Sequence, residues 1–222
     1  MRRDVEKCGD RELAQPFELT RPLAHAPPRR LACMLGSFDP VHRGHLWIIE
    51  QLLQRADALL VLIPTSHFDK RIRPGANADL EQRLEMLEHC LTPQRDRVAL
   101  GLAHEVLFVR LASAIEDKFP STEIFFGLGD ETFQRVLASA QYFAKRGLVF
   151  GDDERAALAR LVQRAVVFGR TGELSSTRVR QTVAELWRCN APISEWERAL
   201  DHLVLPQVRE FVVERGLYCQ AD

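Results

Sequence analysis

Two short segments of this chain gather residue types that handle phosphate. The first reads Gly36-Ser37-Phe38-Asp39-Pro40-Val41-His42-Arg43-Gly44-His45. His42 and His45 stand three apart, so in a first helical turn both imidazoles share a face. Gly44 between them has no side chain to obstruct a ligand, and Gly36 permits a tight turn and close approach to the backbone. Asp39 is expected to be extended ahead of Pro40, whose ring fixes the approach to the helix. Helix-start amides and two imidazoles then converge on one spot, which suits a polyphosphate. A plain turn with two surface histidines is the competing reading, and ten consecutive residues that each fit a geometric role weigh against it.

The second segment is Ser175-Ser176-Thr177-Arg178-Val179-Arg180. A Ser or Thr at a helix start is common in any protein. Here three hydroxyls precede two arginines shortly after the apolar run that ends in Gly169-Arg170, and amides, hydroxyls and guanidinium groups together make a second anion clamp.

These segments need a scaffold that presents both at one edge. Leu31–Leu35 is apolar on both faces and stops at Gly36, as a central parallel strand does. Ala58–Ile63 before Pro64, Val98–Leu102, Ile124–Phe126 and Val166–Phe168 read as further strands. Helical spacing links Leu46, Ile49, Leu52, Leu53 and Ala56, and again Leu80, Leu84, Leu87 and Leu91. Further helices are expected over Val109–Phe119, from Ser176 to about Arg188 and from about Pro206 to Arg215. Between Asp130 and Arg164 the pattern allows either a strand at Leu148-Val149-Phe150 or a helical connection. Strands alternating with helices imply βαβ units, hence a Rossmann-like open parallel α/β sheet with helices on both faces. Ligands of such sheets bind beyond the carboxyl ends of the strands, where both segments fall.

The domain is expected over residues 31–222, with residues 1–30 a partly disordered N-terminal extension in which Phe17 and Leu19 could pin a short extended piece. The 222 residues carry 30 Lys+Arg against 31 Asp+Glu, a formal charge of −1, which argues against a nucleic-acid binder. The five cysteines are scattered and none pair at metal-ligand spacing, so neither a zinc site nor a disulfide framework is expected. The chain opens Met1-Arg2-Arg3 without an apolar stretch behind it, and no apolar run approaches the roughly 20 residues of a membrane span. A cytoplasmic protein without membrane or nucleic-acid partners is expected. Neither a G-x-x-x-x-G-K-[ST] loop nor a complete dinucleotide fingerprint occurs, against both a P-loop kinase and a hydride-transfer enzyme.

The two segments resemble the H-x-G-H and I-S-S-T-x-x-R signatures of the nucleotidyltransferase superfamily, with Leu174 in place of the usual Ile. Within it the chain looks most like the nicotinate/nicotinamide mononucleotide adenylyltransferases. That branch is similar at Gly36–His45, at Pro64-Thr65 followed by Lys70, at Arg83-Leu84-Glu85-Met86-Leu87, at Gly127/Gly129 with Asp130, and at Val208–Phe211 with Leu217-Tyr218. Two of its features are absent. Phe108-Val109-Arg110-Leu111-Ala112 stands where the branch has Ser-Tyr-Thr, and Ala138 stands where it has a ring-stacking tryptophan, with Tyr142 and Phe143 nearby.

The resemblance implies transfer of a nucleotidyl group from ATP with Mg²⁺ and release of pyrophosphate. It makes His42, His45 and Arg178 the catalytic candidates, with Arg180 a weaker one. It makes Gly36, Ser37, Phe38, Gly44, Ser175, Ser176 and Thr177 the ATP-binding residues, and Lys70, Arg83 and Asp130 the acceptor-binding ones. Mg²⁺ would be held chiefly by the phosphates, with no protein metal ligand. The expected partners are small molecules, ATP and a pyridine mononucleotide, and a homo-oligomer is compatible with this reading. Two alternatives stand beside it: a different phosphorylated acceptor such as phosphopantetheine, and a non-catalytic nucleotide-binding regulator.

Overall fold

Six strands form one sheet in the computed structural model, which describes residues 15–25, 27–66, 73–169 and 174–220. They are β1 (Phe17–Arg21), β2 (Arg30–Leu35), β3 (Ala58–Pro64), β4 (Val98–Ala103), β5 (Glu123–Gly129) and β6 (Ala165–Phe168). Their order is β1-β4-β3-β2-β5-β6, parallel throughout except that β1 pairs antiparallel with β4. Every residue of β3 from Ala58 to Ile63 is buried, as required of a central parallel strand covered on both sides.

Successive side chains of the strands feed two separate cores. Ala32 and Met34 of β2, with Leu59, Val61 and Ile63 of β3, pack on one side. That side carries α1 (Arg43–Leu53), α2 (Leu80–Leu91), α7 (Ser176–Arg188), α8 (Ile193–Leu200) and α9 (Pro206–Glu214). Leu31, Cys33, Leu60 and Leu62 pack on the other, against α3 (Phe108–Lys118), α4 (Asp130–Leu137) and α6 (Asp152–Gln163). A short helix, α5 (Ser139–Lys145), links α4 to α6. The period-two alternation of the strands thus separates the layers of a Rossmann-like fold.

Chain order decides where the site can be. From β2 the chain steps outward to β3 and β4, then returns to the opposite flank of β2 for β5 and β6. This reversal opens a crevice beside the carboxyl end of β2, the usual ligand position in open α/β sheets. The turn after β2 carries the histidine segment, and the connection after β6 leads to the hydroxyl segment.

One expectation is corrected, and one open alternative resolves as the helical connection. Residues 17–21 are a strand of the sheet rather than part of an extension, so the structural unit starts ahead of residue 30. Phe17 is 5% exposed and packs with the α3 core, while Glu18 and Thr20 point outward, a half-polar pattern typical of an edge strand. Residues 148–150 form no strand and lie in the loop between α5 and α6, where Val149 is exposed. Among the described residues no helix is long and apolar enough to cross a membrane.

Burial of Phe17 makes β1 part of the folding unit. Phe17→Ala is expected to reduce the unfolding free energy by about 3 kcal/mol, read from the urea midpoint, with nucleotide affinity unchanged.

Candidate active site

The turn after β2 delivers its histidines through the start of α1. His42 is the extended N-cap residue, with φ −138° and ψ 168°. Its backbone N–H donates to Nδ1 of His45 at 3.2 Å, which leaves the His45 ring proton on Nε2. The two rings stack with centroids 3.7 Å apart and planes 26° from parallel, and Phe38 meets His45 at 4.8 Å. Burial lowers the His42 pKa to about 4. Burial and the neighbouring His42 push His45 well below the ordinary histidine value. Two neutral imidazoles therefore face the crevice at neutral pH.

The glycine between them has a reason the sequence did not show. A Cβ on Gly44 would lie 3.0 Å from the His42 ring, so Gly44 makes room for that imidazole. Gly36 does the same for Phe38, whose ring would be 2.9 Å from an added Cβ. Phe38 adopts φ 49°, a left-handed conformation costly for a bulky residue, and is fully buried. The Asp39-Pro40 peptide is cis.

The second corner is α7. Ser175 caps it, its Oγ accepting the N–H of Arg178 at 3.1 Å. The Ser176 hydroxyl donates to the Pro40 carbonyl at 2.9 Å. Arg180 donates to the Asp39 carbonyl and, at 3.3 Å, to the Thr177 hydroxyl, and lies 3.7 Å from the Asp39 carboxylate. These bonds fasten the two corners across more than 130 residues of sequence.

Both corners wall one cleft of about 460 Å³. Gly36, Ser37, Phe38, His42, Gly44, His45, Ser175, Ser176, Thr177 and Arg180 lie along it. The opposite wall carries Phe108 at the start of α3, Asp130 and Arg135 of α4, and Tyr142 and Phe143 of α5. A smaller cleft of about 290 Å³, beside Trp47, Cys90 and Gln94, lacks the histidine and hydroxyl set.

Two expected residues stand elsewhere. Arg178 is exposed and off the cleft wall, while Arg180 is on it. The helix explains the exchange: Thr177 and Arg180 are three apart on one face, and Arg178 is turned about 100° from Thr177. The spacing of the signature itself, whose final arginine falls on Arg180, could have shown this. Arg83 is 1% exposed, and its guanidinium donates to the Ser37 carbonyl at 3.2 Å and to the Asp79 carbonyl at 3.1 Å. It braces the turn from behind and is not on the cleft wall. Lys70 lies outside the described residues. Sequence reasoning also passed over Phe108 as a wall residue, and Arg135, which helical position alone would not distinguish from any surface cation.

A parallel sheet with two anion-binding corners at its switch point defines a nucleotide-handling protein. Residues 33–182 match the model of the cytidylyltransferase-like family, and the chain belongs to that family of nucleotidyltransferases. A phosphopantetheine adenylyltransferase of Arthrobacter sp. is 32% identical over 118 residues, which cover 51% of this chain and 70% of that protein. A probable nicotinate-nucleotide adenylyltransferase of Rubrobacter xylanophilus is 22% identical over 200 residues, covering 85% of this chain and 92% of its own. Among solved structures, a putative nicotinate-nucleotide adenylyltransferase from Vibrio parahaemolyticus superposes with a TM-score of 0.56 at 21% identity, over 87% of this chain and 97% of that one. The Plasmodium falciparum nicotinic acid mononucleotide adenylyltransferase complexed with NaAD gives a TM-score of 0.60 at 13% identity, over 86% and 98%. Both share the fold.

The buried histidines carry a pH signature. In the unfolded chain His42 takes up a proton near pH 6.5, but in the folded protein only near pH 4. Between those values the unfolded state binds more protons, so stability falls as the pH falls through that window. The His42→Asn variant is expected to lose less stability than the parent between pH 7 and pH 4.5, compared by urea midpoints at the two pH values.

Proposed function

We propose that the chain transfers the adenylyl group of ATP to the phosphate of nicotinate or nicotinamide mononucleotide, releasing deamido-NAD or NAD together with pyrophosphate. The observation that carries this reading is the cleft, with an anion-binding wall of His42, His45, Thr177 and Arg180 opposite a wall that carries the partly exposed rings of Phe108 and Tyr142. One wall suits a triphosphate and the other suits a flat ring.

The acceptor phosphate is already anionic and attacks the α-phosphorus directly. A new P–O bond forms while the bond from the α-phosphorus to the bridging oxygen breaks, and that electron pair leaves with pyrophosphate. No covalent enzyme intermediate is needed, so the protein acts by alignment and charge stabilisation. His42 and His45 donate to the α- and β-phosphate oxygens. Being neutral, they cost little when the site is empty, and the arriving phosphates favour their protonated forms. Ser175, Ser176, Thr177 and the amides at the start of α7 hold the outer phosphates, with Arg180 as the fixed cation. Gly36, Ser37 and Phe38 shape the floor beneath the nucleotide, and Gly44 seats the His42 ring. Asp130 faces the acceptor ribose, and Arg135 supplies a guanidinium on that side in the place first sought in Arg83.

Mg²⁺ fits as an ion that arrives on the nucleotide. The Asp39 carboxylate is committed to the Ala78 amide at 2.9 Å and the Asn77 side chain at 2.6 Å, and among the described residues no cluster of three or more His, Cys, Asp or Glu could cage a metal. Held by phosphate oxygens and water, Mg²⁺ would supply countercharge to the phosphates.

The relatives named as phosphopantetheine adenylyltransferases favour a second reading, the same transfer to a different phosphorylated acceptor. The aromatic wall supports the pyridine acceptor over it.

Pyrophosphate release with ATP, Mg²⁺ and a panel of acceptors separates them. Turnover is expected with a pyridine mononucleotide. A response to phosphopantetheine alone would establish the second reading, and ATP binding without turnover on any acceptor would point to a regulator. His45→Ala is expected to cut turnover by at least about 10²-fold, the usual effect of losing one preorganised donor. By calorimetry, Arg180→Ala should weaken ATP binding by at least about tenfold, and Arg178→Ala by no more than about twofold.

A further inference from the structure

The loop between β3 and α2 reaches the turn after β2 with one side chain. Asn77 donates its Nδ2 to Oδ2 of Asp39 at 2.6 Å, and its Oδ1 accepts the Arg73 amide at 3.0 Å. A backbone N–H can only donate, so the Asn77 oxygen must face Arg73 and its NH2 group must face Asp39. The amide is used at both ends, once within its own loop and once across to the neighbouring one.

The loop is a firm base for that reach. The Ala76 and Asn77 amides both donate to the Arg73 carbonyl, at 3.1 and 2.9 Å. The Gln220 amide donates to the Gly75 carbonyl at 3.1 Å. Asp79 then caps α2, accepting the Gln82 amide at 2.8 Å, and Arg83 ties the Asp79 carbonyl to the Ser37 carbonyl.

On the other side of Asp39 stands Arg180. Its Nη1 donates to the Asp39 carbonyl and lies 3.7 Å from Oδ2, the same oxygen that Asn77 holds. The terminal torsion of an aspartate is broad, so a carboxylate held by one bond is free to turn. Here the Ala78 amide holds Oδ1 at 2.9 Å while Asn77 holds Oδ2, and the two bonds fix the plane.

We infer that Asn77 is a positioning residue, which sets the Arg180 guanidinium by fixing the Asp39 carboxylate that faces it. The chain of contacts is continuous from Arg73 through Asn77 and Asp39 to Arg180, and each link is a hydrogen bond or an ion pair. Arg180 also donates to the Thr177 hydroxyl at 3.3 Å, so the guanidinium is held between the two corners before a phosphate arrives. The role requires an amide at position 77, because only a group that donates at one end and accepts at the other serves both Asp39 and the Arg73 N–H. The inference rests on the nucleotide-binding part of the proposed function and not on the acceptor.

Asn77 also borders the cleft, so the test separates action through Arg180 from direct contact with a bound molecule. ATP affinity is measured calorimetrically on the full chain with Mg²⁺ and no acceptor. Asn77→Ala is expected to raise the ATP Kd about five- to tenfold. Added to Arg180→Lys it should cost little more than Arg180→Lys alone, because both act through one guanidinium. Asn77→Asp keeps the acceptor for the Arg73 amide and is expected to raise the Kd at least as far, which a role confined to the loop would not do. Adding Asp39→Asn to Asn77→Asp returns a donor and an acceptor to the facing positions at the parent's net charge. This exchange should recover at least about threefold of the lost affinity, and it carries the test if Asn77→Ala does not fold. An unchanged Kd in Asn77→Ala, losses that add in full with Arg180→Lys, or an exchange that recovers nothing overturns the inference. A parent chain that binds no ATP overturns the adenylyl-transfer reading itself, which distinguishes that failure from failure of the Asn77 linkage.

Discussion

Asp39 is the point through which the site is assembled. It is 8% exposed, yet it takes hydrogen bonds from residues 77, 78 and 180, segments far apart in sequence. A buried carboxylate is stable only when its oxygens are satisfied and a counter-charge is near, and Arg180 and Arg83 supply the charge. The same requirement that stabilises the buried charge fixes the relative positions of both anion-binding corners. The Ser176 hydroxyl on the Pro40 carbonyl at 2.9 Å is a second tie between the same corners.

The electrostatics of the cleft fit a transient, highly charged ligand. Permanent imidazolium groups stacked at 3.7 Å would repel each other; here burial lowers both pKa values, and the neighbouring His42 lowers that of His45 further. Neutral rings still donate hydrogen bonds. In the proposed reaction the fixed charge near the phosphates would come from Arg180, already oriented by Asp39 and Thr177, so little side-chain freedom would be left to lose on binding.

Where local pattern carried enough information, sequence reading and structure agree. The apolar runs at Leu31–Leu35 and Ala58–Ile63 are central strands, because a strand covered on both faces must be apolar at every position. Both signature segments lie at βα junctions, because glycine, proline and hydroxyl residues mark such ends by their own backbone preferences. The extended piece at Phe17 and Leu19 was legible, but not its place in the sheet, because an edge strand is half polar and this one alternates over only five residues. At Leu148-Val149-Phe150 the pattern left strand and helical connection open, because hydrophobic residues stand there in a loop between helices with no neighbouring strand to pair with.

Backbone preference and hydrophobic period act over a few neighbouring residues, so the primary structure already specified the layers, the strand ends and the two phosphate-binding turns. The direction of individual cations was legible only in part: the spacing of the signature marks Arg180, but no local pattern marks Arg83 as buried. Arg83 looks like a surface ligand in sequence and becomes a buried brace because the Ser37 and Asp79 carbonyls need a donor there. Arg180 rather than Arg178 enters the cleft because Asp39, 141 residues away, holds it. Which partner a long charged side chain finds is settled by what folding brings beside it, and those neighbours arrive from remote parts of the chain.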